Sequence, residues 1–430
     1  MGQEILRDIV IIFAVSVPVV VIAHKLKFPS IVGFLVTGFL IGPHVFGFVP
    51  DVEQIRVLAE VGVALLLFSI GLEFSFDRLK GSHLTVLGMG SIQVILTTVI
   101  GYFAGLSLGW SDAQSAFLGC AVSLSSTAVV MAVLSQKRWF DAPAGRITTG
   151  ILILQDLAVI PMMVFLKVFA MKGNSLASLD IILASVKLLG LVIVLLVLSK
   201  WVINPFLHHT SMLRSKELFV VVFVGLAIAA SYATEQMGFS FALGAFLAGL
   251  LVSTTDFRFH ALSEIAPFRY CFNGLFFVAV GMIVNPVFII NNLGIVLFLV
   301  LAIILMKAII AGTTTFFFGY PVSVAMIVGV MLAQVGEFSF MLVFFGWKAN
   351  AIPFNIYQLI IDAAAITMVL APFFVSLAPK LGEKLAFISW KFKWSRGKLQ
   401  SQVPDEEEKL SGHAIICGFG PLGMAVGHFL

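Results

Sequence analysis

Apolar runs about twenty residues long recur from one end of the chain to the other, divided by short polar or charged stretches. A helix that crosses the hydrocarbon of a bilayer needs roughly 17–25 apolar residues. On that ruler the pattern predicts about thirteen spanning helices. They fall at approximately 4–23, 29–48, 55–74, 83–108, 113–135, 144–171, 179–203, 216–236, 239–253, 268–289, 293–318, 321–346 and 354–379. The first run, Glu4 to Ala23, is of spanning length and lacks a small-residue cleavage exit, so it reads as a retained helix.

Composition agrees. Hydrophobic residues make up 60% of the 430 and charged residues only 11%, with a mean hydropathy of +1.09. A soluble domain carries about 25% charged residues. The net charge of +4 is the ordinary excess of loop lysines and arginines in a membrane protein, not a nucleic-acid footprint. Cys120, Cys271 and Cys417 lie far apart and form neither a disulfide framework nor a metal cluster. The basic loop residues alternate. Lys25, Lys27, Arg78, Lys80, Lys137, Arg138, Arg146, Arg214, Lys216, Arg258 and Arg269 occupy the odd-numbered loops, whereas the even-numbered ones hold little beyond Arg56, Lys172 and Lys348. The positive-inside rule then puts the N-terminus outside and the C-terminus in the cytoplasm of an inner membrane.

The pattern changes after Lys380. Residues 1–379 read as the membrane domain, 380–411 as a cytoplasmic linker with a basic stretch (Lys391, Lys393, Arg396, Lys398) and an acidic one (Asp405 to Glu408). Residues 412–430 contain a short apolar strand running into Gly418, Gly420 and Gly423, the spacing that opens a dinucleotide-binding, Rossmann-like unit. Too little of it is present to fold, and truncation is the expectation.

A repeat runs through the membrane domain. Gly244 and Gly249 follow Gly33 and Gly38 by 211 positions, Gly281 follows Gly71 by 210, Pro372 follows Pro161 by 211, and the Ser125-Ser126 step falls on Gly336-Glu337. Helices 1–6 and 8–13 are thus two copies seven helices apart, and an odd separation inverts the second copy in the membrane. Inverted repeats belong to alternating-access transporters, whose ion site lies near midplane between the copies. The matching helices 5 and 12 each carry polar residues mid-membrane, Ser123 to Thr127 and Gln334 to Ser339. These predict two discontinuous crossing helices, with serine and threonine back-bonding inside an unbroken helix as the alternative. Exposed half-helix ends need counter-charges; Thr127 and Glu337 are placed to supply a hydroxyl and a carboxylate.

Asp156 lies mid-span in helix 6, after Gln155. An ionisable side chain at the bilayer centre costs about 2.5–3.5 kcal/mol and is a functional-site hypothesis by default. A carboxylate there is driven toward neutrality, by a proton or by a bound alkali cation. One group taking either, exposed to each side in turn, makes an antiporter. Gln155 is neutral, so a single titratable group favours electroneutral exchange. Lys307 can pair with Asp156 or Glu337, or snorkel. Glu73 reads as an interface residue, and Asp362 as an outer-vestibule residue or a helix cap.

At these positions the sequence resembles the monovalent cation/proton antiporter family 2, of the Kef potassium-efflux type. The stretches that carry the resemblance are GFLVTGFLIGP (33–43), FSIGLEF (68–74), SLSSTAVVM (123–131), LQDLAVIP (154–161), GLFFVAVGM (274–282), VGEFSFML (335–342) and CGFGPLG (417–423). The resemblance implies an all-α membrane protein of the sodium/proton antiporter fold, in which a core domain (helices 4–6 and 11–13) moves against a dimerisation domain (helices 1–3 and 8–10). It also implies a homodimer, and a cytoplasmic regulatory domain or subunit that takes a nucleotide, AMP or NAD(H). Gln155 before the aspartate, as in Kef-like systems, points to K⁺ over Na⁺. The ion and proton site is then Asp156 with Gln155, Ser125, Ser126 and Thr127, with Glu337 and Lys307 balancing helix charge and Gly418, Gly420 and Gly423 binding the nucleotide. The stretch Asp256 to Glu264 resembles the loop through which Kef systems contact their regulatory domain, or is a solvated connector. A Na⁺/H⁺ antiporter is the first alternative and a nucleotide-gated cation channel the second, although no filter-like sequence is present. An enzyme reading finds neither a substrate domain nor catalytic candidates.

Overall fold

The structure, a computed structural model, describes residues 2–26, 28–50, 84–140, 142–170, 215–236 and 241–391, with scattered residues between 61 and 72 and His208. Among the described residues the regular structure is all helical. The helices are α1 (Gly2–Lys25), α2 (Ser30–Ile41), α3 (Leu84–Ser107), α4 (Asp112–Ser123), α5 (Thr127–Lys137), α6 (Pro143–Ala170) and α7 (Lys216–Gln236). There follow α8 (Phe241–Ser253), α9 (Arg258–Ile283), the short α10 (Pro286–Asn291), α11 (Leu293–Phe317), α12 (Val322–Met331), α13 (Glu337–Lys348) and α14 (Phe354–Lys391). Described helical residues also fall at 61–72. Among the described residues, eight segments are long and apolar enough to cross a membrane, counting Asp112–Ser135 across its break, and three shorter apolar helices accompany them. Every expected span overlaps described helix except 179–203, which lies outside the described residues with Glu73 and the glycines Gly418, Gly420 and Gly423.

Among the boundaries that differ from expectation, two bear on the reading. The stretch expected as a loop at 256–264 is helical from Arg258 onward. Its charged residues and Pro267 imitate a connector, but they line the solvent end of one long helix. The last helix runs past residue 379 to Lys391.

The helices sort into two packed groups. In one, α3 to α6 pack with α11 to α14; in the other, α1, α2 and residues 61–72 pack with α7 to α9. Helix α14 touches α9 and α2 across the division.

Close helix approach explains the repeated glycines. A Cβ on Gly38 would overlap the Val278 carbonyl of α9, and one on Gly281 would overlap the Leu35 carbonyl of α2. The second copy repeats the arrangement: a Cβ on Gly249 of α8 would overlap the Phe68 carbonyl, and one on Gly71 the Phe246 carbonyl. Helix two of each copy therefore packs backbone to backbone against helix three of the other. In lipid, where no hydrophobic force drives helices together, such small-residue contacts let dispersion and close packing do so. The pattern extends to positions the sequence reading passed over. A Cβ on Gly119 of α4 would overlap the Thr98 carbonyl of α3, and one on Gly329 of α12 would lie 2.5 Å from the Ala308 carbonyl oxygen of α11. Both members of that second pairing lie 210 positions after the first.

Candidate functional site

The expected breaks are present in both crossing helices. Helix α4 ends at Ser123, Leu124 is extended (φ −86°, ψ 142°), and α5 starts at Thr127 with Ser126 as its N-cap. The Ser126 hydroxyl accepts from the Val129 amide at 3.2 Å, which is how a serine satisfies an orphaned donor at a helix start. In the second copy α12 ends at Met331 and α13 begins at Glu337, with the extended Gly336 before it.

The two breaks meet. The Gly336 amide donates to the Leu124 carbonyl at 3.1 Å. The Ser125 hydroxyl donates to the Leu332 carbonyl at 2.9 Å. Gln334 bridges both polarities of Ser126, accepting from its amide at 3.0 Å and donating to its carbonyl at 3.2 Å. The Ser339 hydroxyl donates to the Ala121 carbonyl. No side chain fits at position 336, because a Cβ there would lie 2.6 Å from the Ser125 carbonyl carbon. Backbone that leaves its helix inside a membrane must be satisfied by other protein groups, and here each break serves the other.

Each break is also braced from the helix that follows it. The Ser125 amide donates to Gln155 Oε1 of α6 at 2.8 Å. The Val335 amide donates to Thr367 Oγ1 of α14 at 3.2 Å. Glutamine in one copy and threonine in the other do the same work.

Charge follows the half-helix ends. The Lys307 ammonium of α11 donates to the Leu124 carbonyl at 2.7 Å, at the negative end of α4. Its side chain is wholly buried, so it does not snorkel, and the Leu124 carbonyl is the partner the structure gives it. Glu337, at the start of α13, sits beside the Ser126 hydroxyl and the Ala128 amide, between the positive ends of α13 and α5. Its Oε2 is buried with no hydrogen-bond partner among the described residues.

Asp156 and Thr127 come together at the rim of this crossing. The Thr127 hydroxyl donates to the Asp156 carboxylate, 3.0 Å from Oδ2 and 3.3 Å from Oδ1, and both residues are half-buried. Of the remaining site candidates, Ser125 and Ser126 spend their hydroxyls on the crossing, and Gln155 is fully buried with its amide turned to the break. Asp362 is not on a vestibule. It is buried, and Gln358 donates to its Oδ1 at 3.0 Å and to the Ile283 carbonyl at 2.7 Å, tying α14 to the end of α9. The sequence reading missed Gln93, Gln358 and Thr367; a polar residue inside an apolar span was the available signal in each case.

Two broken helices crossing at a half-buried carboxylate narrow the field, and residues 10–378 match the family described as sodium/hydrogen exchanger, transmembrane. The chain belongs to the sodium/hydrogen exchanger family. It is a multi-pass membrane protein. Among its relatives, K(+) efflux antiporter 5 of Arabidopsis thaliana is 33% identical over 393 residues, 90% of this chain and 69% of that one. The glutathione-regulated potassium-efflux system protein KefC of Salmonella arizonae is 30% identical over 433 residues, 100% of this chain and 67% of that one. K(+) efflux antiporter 4 of Arabidopsis thaliana is 32% identical over 84% of this chain, which spans only 62% of its length. Among exchanger structures, the sodium proton antiporter MjNhaP1 of Methanocaldococcus jannaschii superposes with a TM-score of 0.69 at 18% identity, covering 89% of this chain and 99% of that one. That likeness is one of fold.

Proposed function

We propose that this exchanger swaps K⁺ for H⁺, with Asp156 holding the cation and the proton in turn. The observation that carries the reading is the half-buried Asp156 carboxylate, held by the Thr127 hydroxyl where two broken helices cross. A hard carboxylate oxygen, a hydroxyl and the backbone of a helix break are the oxygen ligands an alkali cation takes. Lys307 and Glu337 already answer the half-helix ends. In this reading Asp156, on the Thr127 hydroxyl, is the carboxylate that exchanges a proton for a cation. The relatives named as K⁺ efflux systems support K⁺ as the cation.

The two packed groups of helices are the moving parts. The group holding Asp156 slides against the other, which forms the homodimer, in an elevator movement of alternating access. The N-terminus is outside an inner membrane and the C-terminus in the cytoplasm, where residues 412–430 begin a regulatory unit that takes AMP or NAD(H) on Gly418, Gly420 and Gly423.

Purified protein in liposomes, loaded with a pH dye and with the membrane potential clamped, tests the reading. An imposed K⁺ gradient drives proton movement. A response to Na⁺ alone reassigns the cation, and cation flux without protons makes the protein a channel. A second expected outcome concerns coupling. Gln155→Asp adds a second titratable group and removes the Gln155 side-chain amide, so exchange becomes sensitive to membrane potential. Transport that stays indifferent to potential would leave Gln155 as bracing alone.

A further inference from the structure

Two glutamines from different helices close a loop of hydrogen bonds around the first helix break. The Ser125 amide donates to Gln155 Oε1 at 2.8 Å, Gln155 Nε2 donates to Gln93 Oε1 at 2.6 Å, and Gln93 Nε2 donates to the Ser123 carbonyl at 3.2 Å. The relay begins at a backbone N–H, which can only donate, and ends at a backbone carbonyl, which can only accept. Its direction is therefore fixed, and so is the orientation of each amide between. Gln93 Nε2 also donates to Thr97 Oγ1 at 3.2 Å, so both its N–H bonds are committed. Gln93, Thr97, Ser123, Ser125 and Gln155 are all buried. A bond lost among these buried groups leaves an orphaned donor or acceptor, which carries its desolvation cost.

The relay clasps the two residues on either side of Leu124. One step further along, Ser126 caps α5, and Thr127 follows with its hydroxyl on Asp156. Gln155 is also the chain neighbour of Asp156. A change in the relay therefore reaches the cation site by two routes, through the extended break that sets Thr127 and through the turn of α6 that sets Asp156. The geometry points to Gln93 as a positioning residue that sets the affinity of the cation site through Gln155. This inference rests on Asp156 being the cation site. Gln93 itself lies on α3, a helix that contributes no ligand in that reading.

The test compares Gln93→Leu and Gln93→Glu with the wild type, each as full chain, purified, checked for monodispersity and reconstituted. Cation-driven exchange is measured over a range of cation concentration and pH. Gln93→Leu raises the KM for the cation about tenfold, the effect of roughly one net buried hydrogen bond, with Vmax little changed. Gln93→Glu is nearly isosteric. When protonated, its carboxylic acid donates to the Ser123 carbonyl and accepts from Gln155, which rebuilds the relay. When ionised, it sets an acceptor against an acceptor. The ratio of its KM to the wild-type KM therefore climbs as pH rises. A KM within twofold of wild type for both variants at every pH overturns the inference. So does a fall in Vmax at constant KM, which makes Gln93 a helper of movement. If Gln93→Leu does not fold, Gln93→Glu decides alone. Failure of the antiporter reading shows as a wild type that moves no protons, whereas failure of the positioning role shows only in the variants, beside an active wild type.

Discussion

Asp156→Asn reduces cation-driven proton exchange to the background of empty liposomes and leaves the protein folded. Asparagine has the same shape, and its Oδ1 still accepts from the Thr127 hydroxyl, so the rim of the crossing keeps its geometry. What it lacks is a charge to trade. A neutral amide neither releases a proton on binding a cation nor compensates the cation's charge in a medium where an unpaired charge is costly. The check is transport beside thermal melting of the same preparation. Exchange retained at a tenth of wild type or more, in a variant that melts normally, would remove Asp156 from the carrier role.

Gly38→Val has the largest effect expected on stability. A Cβ at Gly38 collides with the Val278 carbonyl, and its nearest neighbours are all backbone atoms of α9. No rotamer change relieves a backbone collision, so α2 and α9 must separate along the seam that holds one repeat to the other. Overpacking of this kind costs about 1–3 kcal/mol where side chains can adjust and more where they cannot. The expected loss is therefore more than about 3 kcal/mol, read as a large fall in melting temperature or failure to recover monodisperse protein. Gly225→Ala and Gly294→Ala are the controls, since nothing among the described residues lies within 4 Å of a Cβ at either. These should melt as wild type does, or slightly higher, because alanine favours helix by about 0.5–1 kcal/mol over glycine. A Gly38→Val protein that melts like the controls would contradict the packing described here.

The membrane made much of this fold legible before any coordinates. A bilayer fixes the length of each span and forbids unpaired backbone within it, so apolar runs and mid-span polar residues each carry direct meaning. The breaks at Leu124 to Ser126 and at 332–336 were readable for that reason, and Asp156 stood out as a carboxylate at mid-span depth. The repeat showed through its glycines because close helix packing needs them at both copies. Other features were hidden. Gln93 is one amide on a helix, and nothing in the chain tells whether it turns to lipid, to a neighbour or to the site. Lys307 was visible as a buried charge, but its acceptor is the Leu124 carbonyl, a main-chain group that sequence does not distinguish from any other. Asp362 read as an outer-vestibule residue or a helix cap. Only the fold shows that Gln358 and the end of α9 enclose it. At Arg258 to Glu264, charge and a nearby proline suggested a loop, although a long helix tolerates both where it leaves the membrane.

The central claim is that one carboxylate carries both ions, and proton release on cation binding tests it most directly. Detergent-purified protein in weak buffer with a pH indicator is given K⁺, then Na⁺ in a separate sample, with choline as the ionic-strength control. The account predicts one proton released for each cation bound by the wild type, and none released by Asp156→Asn. Cation binding with no proton release by the wild type, or equal release from Asp156→Asn, would contradict it.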